Sequence, residues 1–179
     1  MKDKVYELIY PYSLEQLKDA KIEDLVYITG PLLVMRDAAH KRYKQILEET
    51  GKAPFDLNGK IIYYMGPTPK PKNGIIGSCG PTTSKRMDPY VEMVFNNGAF
   101  AILGKGARSE KATNDFIKND KVYLVAIGGA GAYYSKCVKS VKEVAFSDLL
   151  AEAVIEIQVE KFPCFLAIDL KGKNLFDKD

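Results

Sequence analysis

The sequence predicts an α/β domain built on a mixed sheet. Three observations predict it: short apolar runs typical of strands recur along the chain, amphipathic helical stretches separate them in the middle, and both ends are richer in strand. Alternation of strand and helix favours parallel pairing in the middle of the chain. Because helices are few for the number of strands, a mixed α/β sandwich fits better than a regular doubly wound sheet.

The clearest predicted helix spans residues 37–50. Its apolar residues fall on one stripe of a 3.6-residue period: Ala39, Tyr43, Ile46 and Leu47. Asp37 is a good N-cap, and Gly51 stands where a left-handed residue commonly ends a helix. The sequence therefore predicts both ends of this helix.

Two further helices are predicted. One has an apolar pattern over residues 87–95, with Asp88 as N-cap and Pro89 as the first helical residue, and Gly98 ends it. Residues 82–86 then form either a separate turn or a first helix kinked at Pro89. A weaker helical pattern covers residues 109–119. The predicted strands lie between the helices and on either side of them: 5–10, 25–29, 32–35, 61–65, 75–78, 100–103, 122–127, 138–145, 154–159 and 164–169. Residues 67–74 are predicted to form an exposed proline-rich loop, and residues 169–174 a hairpin turn.

Composition bounds the function. With 179 residues we expect one domain, residues 1–179, and the 26 basic against 23 acidic residues give a net charge of +3, too mild for a nucleic-acid-binding surface. No apolar run reaches the length that spans a bilayer, so we expect no membrane contact. The start of the chain has no apolar signal region, and three cysteines do not form a disulfide framework. We therefore expect a cytoplasmic protein.

Polar residues follow three of the predicted strands. They are the segments Arg36–His40, Gly80–Asp88 and Gly104–Gly106. In open α/β sheets, ligands bind beyond the carboxyl ends of the strands. If these strands are parallel neighbours, four side chains converge on one pocket: Arg36, Thr82, Arg86 and Lys105. Such a set of cations and hydroxyls suits a small dianion.

Each of these residues also has a plain structural interpretation. Arg36 alone is most often solvated, Lys105 between glycines could occupy a turn, and Thr82, Thr83 or Ser84 alone is more often a helix cap. His40, the sole histidine, faces solvent about as plausibly as a site. Two segments outside the three are expected to be structural. Residues 128–131 lack a complete nucleotide-binding fingerprint and are expected to pack closely, and Glu152, Glu156 and Glu160 are expected to form a solvated strand face.

The three cysteines raise the possibility of an iron–sulfur cluster. Cys79, Cys137 and Cys164 are far apart in sequence, with no C-x-x-C pair. Cys137 and Cys164 lie among apolar neighbours, where a thiol behaves as a small hydrophobic group. We therefore expect no metal ligand in this chain.

The polar segments match a known family. The sequence R-D-A-A-H at 36–40, G-P-T-T-S-x-R-M-D at 80–88, G-K-G at 104–106 and F-P-x-F-x-A-I-D-x-x-G at 162–172 occur in that order. They resemble the C-terminal domain of class I, iron–sulfur fumarate hydratases and L-tartrate dehydratases, which is often a separate beta subunit. The resemblance covers residues 25–176. It departs at Cys164, where we expect a small apolar residue, and at Cys79, which has no family role that we can name.

The resemblance implies a mixed-sheet swivelling β/β/α-type domain whose site is shared with an alpha subunit. That alpha subunit would hold a 4Fe-4S cluster, and none would be bound by this chain alone. By the same resemblance Thr82 and Lys105 would be catalytic, with Thr82 as the base and Lys105 lining the pocket. Arg36 and Arg86 would bind substrate carboxylates, and His40 and Asp88 would support them.

The resemblance favours a fumarate hydratase beta subunit and leaves alternatives open. The motifs fit the carboxylates common to fumarate, malate and tartrate, so an L-tartrate dehydratase beta subunit remains an alternative. A non-catalytic domain that binds small anions would use the same basic residues. A lyase with its own cluster would depend on the three cysteines.

Overall fold

The computed structural model of the chain describes residues 4–177. Within them, seven strands form one sheet: β1 Val5–Ile9, β2 Leu25–Val34, β3 Ile61–Tyr63, β4 Ala101–Gly104, β5 Val122–Val125, β6 Val138–Ala145 and β7 Val154–Ile168. The α-helices are α1 Asp37–Thr50, α2 Val91–Asn96, α3 Glu110–Lys118 and α4 Gly131–Cys137, and the 3-10 helices are Leu14–Leu17, Ser84–Tyr90 and Ser147–Glu152. Residues 1–3 lie outside the described residues. The expectation that the start of the chain has no signal region falls partly on them.

The sheet is mixed, as predicted. Strands β1 to β5 pair in parallel, each with the next, whereas β7 runs antiparallel to β2, β5 and β6. Because β2 pairs with both β3 and β7, the ring β2-β3-β4-β5-β7 closes on itself like a barrel. This closure confirms the prediction of a mixed-sheet α/β fold.

Strands β2 and β7 are each continuous where the sequence predicts two short strands. The prediction broke at Pro31 and Pro163, because proline removes a donor from a sheet. In β2 a register shift next to Gly30 accommodates Pro31. A Cβ at Gly30 would lie 2.6 Å from Tyr10 Cβ, so only glycine fits there. In β7, Pro163 lies between the part that pairs with β6 and the part that pairs with β5.

The helices follow the predictions in part. Helix α1 has the predicted bounds, and Gly51 adopts the left-handed conformation with φ of 67°. The prediction of Asp37 as its N-cap is wrong, because Arg36 occupies the N-cap position and Asp37 is the first helical residue. The predicted helix 87–95 is wrong at its start, because residues Ser84–Tyr90 form a 3-10 helix that contains Pro89, and α2 begins at Val91. Helix α3 confirms the weaker prediction, with the Ser109 side chain as its cap. The short helix α4 was not predicted.

The predicted strand 75–78 is wrong. These residues belong to a loop that folds back on itself, since Ser78 N donates to Thr68 Oγ1 (2.8 Å) and Thr68 N to Ser78 O (3.1 Å). Gly77 lies so close to Thr68 that a Cβ there would be 2.0 Å from the Thr68 carbonyl oxygen. The predicted loop at 67–74 and the turn at 169–174 are confirmed, and the Asp169 carboxylate accepts from Lys171 N and Lys173 N.

The core has two parts because successive side chains of the central strands point to opposite faces. One part contains Leu32, Val34, Tyr63 and Leu103. The other contains Leu33, Ile62 and Ile102 with buried residues of α1, α2 and α3. These strands are therefore buried on both faces, and the polar residues that follow them mark where the core ends. Among the described residues, no helix is long and apolar enough to cross a membrane.

Candidate active site

The carboxyl ends of β2, β3 and β4 meet at one edge of the sheet, and the first and third polar segments begin there. Arg36 is the N-cap residue of α1, just after β2, and Lys105 directly follows β4. Because the three strands are parallel neighbours, these two residues lie at the same edge.

The second polar segment reaches this edge without a preceding strand. Thr82 N donates to Tyr64 O (2.8 Å), and Ser84 N donates to Lys105 O (3.1 Å). Residue Thr83 forms a parallel bridge with Lys105. The chain from 82 to 84 is therefore inserted between the extensions of β3 and β4, which places Thr82 beside the segment that carries Lys105.

Thr82 and Arg86 are in direct contact. Arg86 Nη2 donates to Thr82 Oγ1 at 3.0 Å and lies 3.3 Å from Asp37 Oδ2. Capping does not explain the hydroxyls of this segment: Thr83 is the N-cap of the 3-10 helix and makes no capping hydrogen bond with its side chain. The Ser84 hydroxyl is bound to Lys105 N (2.8 Å) and to the Tyr123 hydroxyl (2.9 Å). The capping interpretation is therefore wrong for Thr82 and Ser84, whereas Thr83 occupies the cap position without a side-chain capping bond.

The Arg36 side chain packs against Gly66. A Cβ at Gly66 would lie 2.1 Å from Arg36 Nη1, so any larger residue there would displace the guanidinium. Its Nε is 3.8 Å from Glu152 Oε1 and, within residues 4–177, is buried without a hydrogen-bond partner. The solvated interpretation of Arg36 is wrong, since only about a quarter (26 %) of the side chain is exposed.

The Lys105 side chain lies along Gly128, which follows β5. A Cβ at Gly128 would be 3.2 Å from Lys105 Cδ. At the other end of this glycine-rich stretch, a Cβ at Gly131 would lie 2.7 Å from Gly80 N, so the expectation of close packing is confirmed. The glycines thus make room for the lysine and for the start of the second polar segment.

His40 is fully buried beneath the edge. Its Nδ1 donates to Arg36 O at 2.7 Å, and its ring packs against Tyr64 and Tyr90, each 5.4 Å between centroids. Burial lowers the pKa of His40 from 6.5 to about 4, so the imidazole is neutral. The solvent-facing alternative for His40 is wrong, and its contact supports the backbone at Arg36.

Asp88 is buried as well. Its Oδ1 accepts from Arg108 Nε (2.6 Å) and its Oδ2 from Ser109 N (2.6 Å). The prediction of Asp88 as a helix N-cap is therefore wrong, because its carboxylate binds groups that follow β4 instead of the backbone of its own helix.

Sequence reasoning missed three contributors to this edge: Arg108, Tyr123 and Glu152. Arg108 and Tyr123 stand in no motif, and their contacts are far from them in sequence. The expectation of a solvated face is confirmed for Glu160, which is exposed on β7. It is wrong for the other two, because Glu152 ends a 3-10 helix beside Arg36 and Glu156 pairs with Lys60 at 2.7 Å. The partners in the ion pairs Arg36–Glu152 and Lys60–Glu156 are far apart in sequence and meet only in the folded chain.

The four predicted site residues stand in segments that meet at the carboxyl ends of β2, β3 and β4. The structure gives a side-chain contact between Thr82 and Arg86, and a backbone link from Ser84 to Lys105. Two concave pockets lie elsewhere, one between α3 and residues 172–177 and one between α1 and Pro89–Tyr90. That Arg36, Thr82, Arg86 and Lys105 line one pocket stays a prediction.

The cysteines do not fit a cluster. Cys79, Cys137 and Cys164 are free and buried within the apolar core. Burial raises the pKa of each thiol, that of Cys79 to about 12, so the free thiols are protonated. Among residues 4–177, no three His, Cys, Asp or Glu side chains are grouped so that they could hold a metal ion.

Comparison with known proteins gives consistent matches. The family model described as Fumarase C-terminus matches residues 3–179. The putative L(+)-tartrate dehydratase subunit beta of Methanocaldococcus jannaschii is 38% identical over 170 residues, which are 92% of this chain and 87% of that protein.

Longer relatives match over the same part of this chain. Fumarate hydratase 2 of Leishmania major is 37% identical over 92% of this chain and 29% of its own length. The anaerobic class I fumarate hydratase of Escherichia coli is 36% identical over 92% of this chain and 30% of its own length. The chain thus spans less than a third of these fumarate hydratases.

Proposed function

Because this chain belongs to the Fumarase C-terminus family of class I fumarate hydratases and tartrate dehydratase beta subunits, we propose that it is the beta subunit of a fumarate hydratase. The reaction is the reversible addition of water to fumarate, which gives malate. The observation that carries the proposal is the hydrogen bond from Arg86 Nη2 to Thr82 Oγ1, at the edge where Arg36 and Lys105 also lie.

Thr82 is the base that removes the proton from the carbon next to a substrate carboxylate. A threonine hydroxyl is a weak base unless its deprotonated form is stabilised. The Arg86 guanidinium, 3.0 Å away, supplies a positive charge and a hydrogen bond to that oxygen. The pair is therefore arranged for proton transfer to and from Thr82 Oγ1.

Arg36, Arg86 and Lys105 bind the carboxylates of the substrate. Removing a proton from carbon beside a carboxylate shifts negative charge onto that carboxylate, and fixed cations lower the cost of this step. The planar guanidinium of arginine binds a carboxylate through two parallel hydrogen bonds. The buried Nε of Arg36, which has no partner in residues 4–177, is available to a ligand. His40 and Asp88 support the site from beneath.

The partner of this chain is an alpha subunit that holds a 4Fe-4S cluster. When bound, such a cluster supplies a Lewis acid for the substrate hydroxyl. Two observations support a partner: the buried thiols of this chain do not suit a cluster, and the M. jannaschii relative is named a beta subunit. We place the enzyme in the cytoplasm, and this chain forms one domain of it. The alpha subunit docks at the sheet edge that carries Thr82 and Lys105.

Reconstitution tests the proposal. The purified chain is expected to stay colourless after anaerobic treatment with iron and sulfide, and to be inactive on fumarate and malate. Addition of an alpha subunit loaded with its cluster should give hydration of fumarate that oxygen abolishes. A brown chromophore on this chain alone, lost on mutation of Cys79, Cys137 or Cys164, would contradict the proposal.

Tartrate dehydration is the second candidate. It is favoured by one observation: the chain covers 87% of the M. jannaschii tartrate dehydratase beta subunit. The assembled enzyme should therefore be compared on malate and on tartrate. A larger kcat/KM for tartrate would assign that substrate. If the assembled protein binds dicarboxylates but has no lyase activity on either substrate, the chain would be a non-catalytic anion-binding domain.

A further inference from the structure

Arg108 is a buried cation that the proposed chemistry does not use. Its side chain is fully inaccessible, with 0% exposure, and its Nε donates to Asp88 Oδ1 at 2.6 Å. The guanidinium carbon lies 5.0 Å from the ring centroid of Tyr123, 5.3 Å from that of Tyr64 and 5.4 Å from that of Phe116. Nη1 and Nη2 are buried without a hydrogen-bond partner in residues 4–177, so the ion pair with Asp88 and the three rings are the contacts that hold the charge in place.

Three of the four residues that contact Arg108 also contact or belong to the segments of the candidate site. They are Tyr64, Asp88 and Tyr123. Tyr64 O accepts from Thr82 N at 2.8 Å, so the backbone of Tyr64 positions the base. Asp88 belongs to the Ser84–Tyr90 3-10 helix, which also carries Arg86. Arg108 therefore contacts one residue that binds Thr82 and one that shares a helix with Arg86.

The third contact leads to Lys105. The Tyr123 hydroxyl is hydrogen-bonded to Ser84 Oγ (2.9 Å), and Ser84 Oγ accepts from Lys105 N (2.8 Å). A shift of the Tyr123 ring would therefore move the serine that fixes the Lys105 backbone. Through these contacts Arg108 links the Gly80–Asp88 segment to the Gly104–Gly106 segment and to Tyr64, which follows β3.

We propose that Arg108 is a positioning residue that sets the relative placement of Thr82, Arg86 and Lys105. Its consequence for catalysis rests on the function proposed above, whereas its structural effect does not. Arginine suits this place because its planar guanidinium can face several rings while its Nε edge binds a carboxylate. Lysine would keep the charge and lose that planar contact, and methionine would lose both.

Hydrogen exchange of the isolated chain tests the placement directly. In Arg108→Met, the amides of Thr82, Ser84 and Lys105 should exchange at least about 10-fold faster than in the wild type, because their acceptors are less well held. Amides of β6 and of the β6-paired part of β7 should change less than 2-fold.

A control is available at a more exposed arginine, with 34% of its side chain exposed. Arg42 also pairs with an aspartate, Asp148 at 2.7 Å, and lies 5.2 Å from the Phe146 ring centroid, but its partners are outside the site. Arg42→Met should leave the amides of Thr82, Ser84 and Lys105 unchanged. Equal acceleration in both variants, or wild-type exchange in Arg108→Met, would overturn the proposal.

Two further variants guard against a folding defect. Arg108→Lys restores a charge beside Asp88 and should slow the exchange part of the way back to wild type. If Arg108→Met does not fold, Arg108→Lys must still show faster exchange at Thr82, Ser84 and Lys105 than Arg42→Lys does; identical rates would overturn the proposal.

Kinetics of the assembled enzyme then separate the two hypotheses. Arg108→Met should lower kcat at least about 10-fold and Arg108→Lys less, while Arg42→Met keeps the wild-type value. A wild-type assembly without activity contradicts the proposed function and leaves the exchange result to decide the placement. An active wild type with unchanged kcat in Arg108→Met contradicts the placement alone.

Discussion

Arg86 Nη2 lies 3.0 Å from Thr82 Oγ1, to which it donates a hydrogen bond, and 3.3 Å from Asp37 Oδ2. One guanidinium nitrogen thus joins the segment inserted beyond β3 to the first turn of α1, so two polar segments far apart in sequence share a contact. A cation beside a hydroxyl favours its deprotonated form. The pair is the most direct link between the fold and the proposed proton transfer.

Removal of the Thr82 hydroxyl should abolish most of the activity. In Thr82→Val the shape is kept and the proposed base is lost, so kcat of the assembled enzyme should fall about 100-fold or more. Thr83 is a matched control, because this exposed neighbour makes no capping hydrogen bond with its side chain. Thr83→Val should keep kcat within about 3-fold of wild type, by the usual tolerance of exposed positions. Near-normal kcat in Thr82→Val would remove Thr82 from the chemistry.

Arg86→Lys should separate charge from geometry. Lysine keeps the positive charge but lacks the planar fork that can contact Thr82 Oγ1 and a carboxylate together. We expect kcat/KM for malate to fall about 10-fold or more, the size of one lost charge-assisted hydrogen bond. Lys85→Ala, at the exposed neighbouring residue, is the control and should change little. Equal kinetics for Arg86→Lys and wild type would show that charge alone suffices.

The sole histidine gives a prediction about stability and pH. Burial lowers the pKa of His40 to about 4 in the folded chain, against 6.5 for a free imidazole. Between pH 6.5 and 4 the unfolded chain takes up a proton that the folded chain does not, so the free energy of unfolding falls as the pH is lowered. The loss across this window is at most about 3 kcal/mol.

Urea unfolding from pH 4 to pH 8 measures this effect. His40→Asn keeps an N–H that can donate to Arg36 O and removes the titration, so its free energy of unfolding should depend less on pH in that window. Because the chain has one histidine, the difference between the two curves reports His40 alone. Parallel curves would contradict the low pKa.

Local signals in the sequence predicted local structure well. Helix α1 was predicted with its bounds because its apolar stripe lies within the element and Gly51 directly follows it. The strand predicted at 75–78 failed because contacts with Thr68 decide the conformation of those residues. Strands β2 and β7 were predicted as fragments because each contains a proline, although Pro31 and Pro163 both lie within the pairing of β2 with β7.

In the candidate site, too, the features set by local sequence were predicted and those set by contacts distant in sequence were not. Arg36, Thr82, Arg86 and Lys105 stand in polar segments whose composition is visible in the sequence. The buried contacts beneath them are not visible, because Arg108 binds a carboxylate and three rings that come from separate elements. A side chain in no motif can be assigned a role only when its partners are known in space.

Gly131 gives a final prediction, about the packing that supports the second polar segment. A Cβ at Gly131 would lie 2.2 Å from Ser78 Oγ and 2.7 Å from Gly80 N, and Cys79 N donates to Gly131 O at 3.0 Å. The added methyl group of Gly131→Ala must push this backbone away, and overpacking of this kind costs about 1–3 kcal/mol.

The matched control is Gly80→Ala, on the other side of the same contact. A Cβ at Gly80 would lie 3.7 Å from Gly131 Cα, an ordinary contact distance. Each variant also loses flexibility in the unfolded chain, which by itself stabilises by about 0.4–1 kcal/mol, and by less at Gly80 because Pro81 already restricts that residue. Urea unfolding should therefore show Gly131→Ala to be less stable than wild type and Gly80→Ala to be at least close to it. Equal stability of the two variants would show that the backbones of residues 80 and 131 separate without cost, and that α4 does not hold the start of the Thr82 segment in place.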